Sequence, residues 1–396
     1  MWTNKNFLYF LSGQIASSIG LALFTTSLPF LVMYLNGNAS DISGVQSMFI
    51  VPQIFILLIG GVFVDRLPKK TVIILLNILR ATALFIISVL IFTGRIELWH
   101  IYVLTFLLGL FSTIYQPALR AFLPSVISKE FLIRANSYRS MIRETSEMIG
   151  PVFAAFLVTA YGIFLTFGVT AVSFLLAAVS YVFIAVNRPP DPNTRNTIMS
   201  DFKSGVKILF EKKWLGSSIF IGSIVNVGIA SFDVIILPVY AEYHFDGIQS
   251  YGLLLSSMAV GAFLGALVIS RQTKIEKRMK KYYSFMLILG LSILLLYFIN
   301  HFYIVLIIML LIGFSISSFI ILWDSTIQEL IEEKFLGRII SLQMFGGLLL
   351  LPVGYYFFGV IIDYINFEIS IIISALIIIL SALTGLLIRK IYGIHI

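Results

Sequence analysis

Apolar residues arrive along this chain in runs of about twenty or more, each bounded by glycine, proline or a cluster of charges. Six runs fall at 7–35, 43–64, 71–93, 98–118, 138–160 and 163–186, and six more at 217–242, 250–270, 282–300, 302–323, 339–362 and 367–388. The core of a bilayer is crossed by about 20 apolar residues in a helix, so the pattern predicts twelve transmembrane helices. The first run lacks a small-residue cleavage site and is long for the core of a signal peptide, so it reads as a retained span. Between the two sets, Arg188, Pro189, Pro190, Asp191 and Pro192 break any helix. The expected organisation is an all-α membrane protein with an N-terminal six-helix bundle at 1–186, a cytoplasmic linker at 187–216 and a C-terminal six-helix bundle at 217–396. Within the linker, Phe202, Val206, Leu209 and Phe210 recur at helical spacing beside Lys203, Lys207 and Lys212. That spacing fits an amphipathic helix on a lipid surface, and equally a solvated linker helix.

Composition narrows the class further. Of 396 residues, 59% are apolar and 12% are Asp, Glu, Lys or Arg, about half the charged fraction of roughly 25% found in soluble domains. A water-soluble globule is excluded. Twelve spans take roughly 240 residues and leave about 150 for connections, too few for a sizeable soluble domain. The formal charge of +8, from 27 Lys plus Arg against 19 Asp plus Glu, invites a nucleic-acid reading until the cations are placed. Lys5, segments 65–70 and 119–143, the linker, segment 271–281, Lys334 with Arg338, and Arg389 with Lys390 hold 25 of the 27. Alternate connections hold only Arg95, and Arg80 lies inside the third span. Basic residues near span ends stay on the cytoplasmic side, so both termini are expected there and nucleic acid is not needed to explain the charge. With no cysteine in the chain, disulfides and thiol chemistry are absent.

The two halves carry an internal repeat. Phe131, Leu132, Arg134 and Ser137 return as Phe335, Leu336, Arg338 and Ser341 at an offset of 204, and Gly61 returns as Gly265. Leu28 and Pro29 of span 1 have counterparts in Leu237 and Pro238 of span 7. Two pseudo-symmetric six-span halves describe a common transporter plan, with the substrate site near the bilayer midplane.

The end of span 2 reads Gly60, Gly61, Val62, Phe63, Val64, Asp65, Arg66, Leu67, Pro68, Lys69, Lys70. This resembles the signature loop between spans 2 and 3 of the major facilitator superfamily. Pro117, Ala118 and Leu119 through Pro124, then Arg134, Ala135 and Asn136 and on to Gly150 and Pro151, resemble the branch containing macrolide efflux proteins and the enterobactin exporter. Leu336, Gly337, Arg338 and Ser341, with Gly13, Gln14 and Ser17, fit the same branch. The resemblance implies the major facilitator fold, alternation between inward-open and outward-open states, and a contact from Asp65 to the start of span 11 near Arg338 that shuts the cytoplasmic side. Asp65, Arg66, Arg120 and Arg338 are the gating candidates. Two features depart from the superfamily: Ala154 and Ala155 stand where antiporters often pair glycines in span 5, and Ile269 stands at the 204 offset from Asp65.

A charge at the bilayer centre costs roughly 2.5 to 3.5 kcal/mol on insertion scales, so each one present should face protein or water. Arg80 in span 3, Glu144 and Glu147 in span 5, Asp233 in span 7 and Asp324 at the inner end of span 10 are the candidates. Glu147, close to midplane, and Asp233, on one face with Gly222, Asn226 and Ala230, are the expected proton sites. Arg80 and Glu144 are their charged neighbours in this reading. The bland alternatives are an i, i+4 pair between Arg143 and Glu147 and a buried helix contact at Asp233. Gln14, Ser18 and Thr25 align on span 1 and, with Gln53, Tyr115, Asn226 and Trp323, are the candidate substrate-binding residues.

No Walker phosphate loop, His-Glu-x-x-His, Gly-x-Ser-x-Gly or dinucleotide fingerprint is present in the sequence, so no catalytic or metal site and no cofactor is expected. The sequence reads as a plasma-membrane transporter, functional as a monomer. Its partners are lipid, protons and an amphipathic small-molecule substrate exported by proton antiport. An uptake permease or uniporter of the same fold, or a non-transporting receptor or assembly subunit, remain the rival readings.

Overall fold

The computed structural model describes residues 4–59, 68–128, 131–185, 213–271 and 277–391, and every regular element among them is helical. The helices are α1 Lys5–Tyr34, α2 Ala39–Ile59, α3 Lys69–Phe92, α4 Leu98–Val126 and α5 Leu132–Val182 in the first half of the chain. The second half has α6 Lys213–Ser231, a π-helical turn Phe232–Ile236, α7 Leu237–His244, α8 Ile248–Ser270, α9 Arg278–Leu295 and α10 Phe302–Leu330. It ends with α11 Glu333–Leu349, α12 Leu351–Tyr364 and α13 Phe367–Ile391. Asp65, Arg66 and the linker stripe Phe202, Val206, Leu209 and Phe210 lie outside the described residues.

Nine stretches among the described residues are long and apolar enough to cross a membrane. One of them, Arg134–Val182, has 49 residues, more than twice what a bilayer core needs. It breaks at Gly162, where φ 84° and ψ 164° belong to a backbone region open in practice only to glycine. Spans 5 and 6 therefore meet at one glycine. With α2 (21 residues) and α9 (18 residues), the helices make up twelve crossings in two pseudo-symmetric sets of six.

The chain divides into two compact units, one of residues 1–37 and 44–196, the other of 38–43 and 197–396. In the first unit α5 runs along α1 and α3, and α3 also packs on α4. Three polar side chains of α3 point inward: Asn77, Arg80 and Ser88 are buried, whereas Leu75, Ile78, Phe85 and Phe92 are exposed. Water would reverse that arrangement. In a bilayer the outer face meets apolar lipid, and polar groups must find partners inside the protein. In the second unit α8 packs on α10, while α9 lies between α10 and α13.

Close helix crossings repeat between the halves. A side chain on Gly109 of span 4 would overlap the Phe49 carbonyl of span 2, and one on Gly313 of span 10 would overlap the Met258 carbonyl of span 8. The two glycines are 204 positions apart, the offset of the sequence repeat. Small residues let backbones approach where helices gain little from burial in lipid. Several hydroxyls within the spans are satisfied locally: Thr170, Ser315 and Thr326 each donate to the carbonyl four residues back, at 2.7, 2.8 and 2.7 Å, so these three place no unsatisfied donor in the apolar medium.

Candidate functional site

In the first unit a charged group is held among rings. Arg80 is 2% exposed, and its guanidinium carbon lies 3.9 Å from the centre of the Tyr115 ring and 5.1 Å from that of Phe174. Such stacking contributes about 2 kcal/mol or more when desolvated. Its Nε and Nη2 have no hydrogen-bond partner. The Tyr115 and Tyr181 hydroxyls bond each other at 2.8 Å, within electrostatic reach of both Arg80 and Arg139. One turn before Arg80, Asn77 donates to the Ile73 carbonyl at 2.7 Å and leaves its Oδ1 without a donor.

The remaining candidates of this unit lie apart from that cluster in their bonding. Gln14 is buried and donates to the Ser18 hydroxyl at 3.2 Å, with its Oε1 unpartnered. Thr25 donates to the Leu21 and Ala22 carbonyls of its own helix, and Gln53 to the Phe49 carbonyl at 3.0 Å. Arg120 is exposed. Arg143 binds Glu144 at 2.6 Å and reaches Glu147 at 3.9 Å, with side chains 61%, 62% and 64% exposed. Ion pairs this exposed in water contribute about 0 to 1 kcal/mol. Arg143 thus divides itself between two carboxylates, the nearer being Glu144.

The second unit contains a backbone irregularity at the candidate carboxylate. From Phe232 to Ile236 the helix widens by one residue per turn, and the Leu237 N–H bonds the Phe232 carbonyl five positions back. Pro238 follows immediately and has no N–H to give the Val234 carbonyl. A π-turn relieves that vacancy and is frequent at functional positions. Asp233 sits in this turn, partly exposed, with its Oδ1 sealed and without a hydrogen-bond partner. The Tyr251 hydroxyl donates to the Asp233 backbone carbonyl at 3.1 Å, and the buried Tyr355 lies within electrostatic reach of the carboxylate. Ser231, fully buried, also has an unpartnered hydroxyl oxygen.

Gly222, Asn226, Ala230 and Asp233 are all partly exposed along the one face that their spacing defines. Asn226 donates to the Gly347 carbonyl at 2.8 Å, joining span 7 to span 11. Trp323 is buried against Tyr282, ring centres 5.5 Å apart, and Asp324 beside it is exposed. Arg338 falls in α11.

Tyr181, Asn77, Tyr251 and Tyr355 were not singled out by the sequence. Asn77 bonds within its own helix, but the partners of the three tyrosines stand further off along the chain, as Tyr115 does from Tyr181 at 66 positions, and no local pattern announces such a pairing. The π-turn had a readable signal in a proline five residues after an intramembrane aspartate.

Twelve apolar helices in two repeated halves, with Arg80 and other polar groups buried among them, define a membrane transporter. The chain belongs to the Major Facilitator Superfamily, whose sequence profile matches residues 10–342. It is 22% identical over 392 residues to macrolide efflux protein A of Streptococcus pyogenes, covering 96% of this chain and 95% of that protein. The multidrug efflux pump Tap of Mycolicibacterium fortuitum is 20% identical over 85% of this chain and 84% of its own length. The enterobactin exporter EntS of Escherichia coli O1:K1 is 23% identical over 53% of this chain and 50% of its own. Among solved structures, the POT family transporter PepTSo superposes with a TM-score of 0.76 at 13% identity, covering 99% of both chains. The nucleoside transporter NupG superposes with a TM-score of 0.75 at 13% identity, covering 96% of this chain and 99% of the other. These two establish the fold alone. The family and its relatives are small-molecule transporters of the membrane, with efflux pumps among them, and not enzymes.

Proposed function

We propose that this protein exports amphipathic small molecules, macrolide-like or siderophore-like in character, in exchange for protons, by alternating access about a midplane cavity. The observation that carries the coupling is Asp233, an intramembrane carboxylate in a π-turn with one sealed oxygen that meets no donor. A carboxyl group free of an ion-pair partner exchanges its proton with the transport path without first breaking a salt bridge. Glu147 is the second proton site, sharing Arg143 with Glu144. The face of Gly222, Asn226 and Ala230 forms the substrate wall of span 7, and Gln14, Ser18 and Thr25 that of span 1, with Gln53, Tyr115 and Trp323 contributing. Asp65, Arg66, Arg120 and Arg338 work the cytoplasmic gate. The bundles 1–186 and 217–396 rock as units, the protein acts as a monomer, and both termini face the cytoplasm.

Export at the level of the family is supported by the efflux proteins among the relatives, and the drive is the electrochemical gradient, whose electrical part supplies about 2.3 kcal/mol per charge per 100 mV. A substrate panel in efflux-deficient cells tests the reading, comparing wild type with Asp233→Asn and Glu147→Gln. Resistance to at least one amphipathic compound is expected from wild type and is lost in one or both variants at equal membrane abundance. Equal resistance in all three contradicts the assignment.

A further inference from the structure

Within the first unit, spans 1 and 6 are pressed together at two glycines. A Cβ on Gly13 would overlap the Tyr181 ring, and one on Gly20 the Ser173 hydroxyl, so the helices meet along that line without intervening side chains. Beside the seam lies a trough of about 400 Å³, open on one side and within the roughly 300 to 1,000 Å³ of small-ligand sites. Leu23 on its floor is buried, and Ala16, Ile19 and Val169 are partly so. Its rims are Ile15, Phe153, Val172 and Leu176, all apolar and exposed. The two serines on its wall are turned to their own helices: Ser12 donates to the Tyr9 carbonyl at 3.0 Å, and Ser173 to the Thr170 carbonyl at 2.7 Å. The surface left to an occupant is hydrocarbon.

From Ser12 to Leu23 the trough follows α1 for about 16 Å at 1.5 Å per residue. That is close to half of the roughly 30 Å hydrocarbon core, the depth of one leaflet. Toward the start of α1 the chemistry changes in order. The rings of Tyr9 and Phe183, both exposed, stand 5.5 Å apart, as aromatic side chains do at a membrane–water interface. Lys5, exposed, continues the stripe two turns before Ser12. Its neighbour Asn6 exchanges two hydrogen bonds with Ala185, at 2.9 and 3.0 Å. Lys70 of α3 donates to the Val182 and Ile184 carbonyls, each at 2.8 Å, and keeps a third ammonium donor for another acceptor. Both cations therefore gather at residues 182–185. Gln14 and Ser18 of the substrate stripe fall on the far side of α1, about 200° and 240° around the helix from Ser12.

We infer that this trough is a selective site for a phospholipid with an anionic headgroup, one acyl chain lying between spans 1, 5 and 6 and the phosphate meeting Lys5 and Lys70. Cation, aromatic pair and apolar trough follow one another as headgroup, interface and chain do in a lipid. Charge complementarity selects the headgroup, and a trough one leaflet deep selects a chain over a compact solute. A smooth lipid-facing surface has no hollow to order a chain and no paired cations to choose its headgroup. The site requires no transport step, so it stands or falls separately from the export reading.

The chain has no cysteine, so a single introduced thiol carries a fluorophore without background. Leu176→Cys on the rim and Ile78→Cys on the exposed face of α3 are each labelled with bimane and placed in phosphatidylcholine nanodiscs. A minor fraction of the lipid has brominated chains, which quench on contact, and is either phosphatidylglycerol or phosphatidylcholine. At Leu176→Cys phosphatidylglycerol is expected to be preferred about tenfold, as two cations beside an anionic headgroup imply, and at Ile78→Cys the two lipids should quench alike. Lys5→Gln with Lys70→Gln should remove the preference. Because Lys70 also holds the end of span 6, Ser12→Phe is the second variant: it fills the trough from an exposed position, leaves both lysines, and should remove the preference as well. The same lipid ratio at both labels overturns the inference, and so does a preference that survives in both variants. Protection of the rim label by a macrolide but by neither lipid would assign the trough to substrate and overturn it too.

Discussion

Arg80 and Asp233 are both intramembrane ionisable groups without an ion-pair partner among the described residues, and they are held in different ways. Arg80 has rings on its faces and two nitrogens without acceptors. A buried charge with no counter-ion carries a desolvation penalty of several kcal/mol, which an apolar side chain of similar reach does not. Arg80→Met is therefore expected to raise the thermal unfolding temperature in detergent by several degrees while slowing transport. A lower unfolding temperature would show that the stacking on Tyr115 outweighs desolvation. Asp233 has the opposite exposure, open on one side and sealed at Oδ1. Asp233→Asn preserves its size and removes its proton, so uncoupler-sensitive flux should fall at least about tenfold, with unfolding temperature little changed. The sequence named both charges, because ionisable groups within apolar runs are conspicuous. It did not identify the rings that hold Arg80, because Phe174 stands 94 positions away and looks like any other of the 35 phenylalanines.

At the scale of elements, spans were legible because a bilayer imposes one length and one solvent on every crossing. The expected break between runs 138–160 and 163–186 coincides with the non-helical Gly162. Gly162→Ala should destabilise the protein by about 1 to 3 kcal/mol, since an L side chain does not tolerate that backbone conformation. Unfolding monitored by tryptophan fluorescence checks this, and an unchanged midpoint would contradict the strain assigned to the turn. What one sequence conceals is the geometry made between elements. The carboxylate that accepts the Ala39 and Ser40 N–H groups belongs to Asp363, 324 and 323 positions further on, which by itself reads as an ordinary charge at a span end. The π-turn lies between these cases: Pro238 advertises a free carbonyl, but not which residue will occupy the widened turn.

On the scale of the whole molecule, duplication is visible both as recurring residues and as recurring geometry. Gly109 and Gly313 make the same backbone crossing in the two halves, and neither was picked out by the residues that first exposed the repeat. The asymmetries between the halves locate the chemistry. The aromatic-caged cation belongs to the first half, and the π-turn carboxylate to the second. A transporter that exchanges protons for substrate must load the two in alternation, so a gradient of either should drive the other.

The most direct measurement is proton movement in everted vesicles that carry no energy source and receive, from outside, a compound to which the protein is expected to confer resistance. An outward-to-lumen substrate pulse, followed with a pH-sensitive dye, should release protons from the lumen in wild type and not in Asp233→Asn. Substrate movement of equal size without a proton signal in wild type, or with an undiminished one in the variant, would contradict the account.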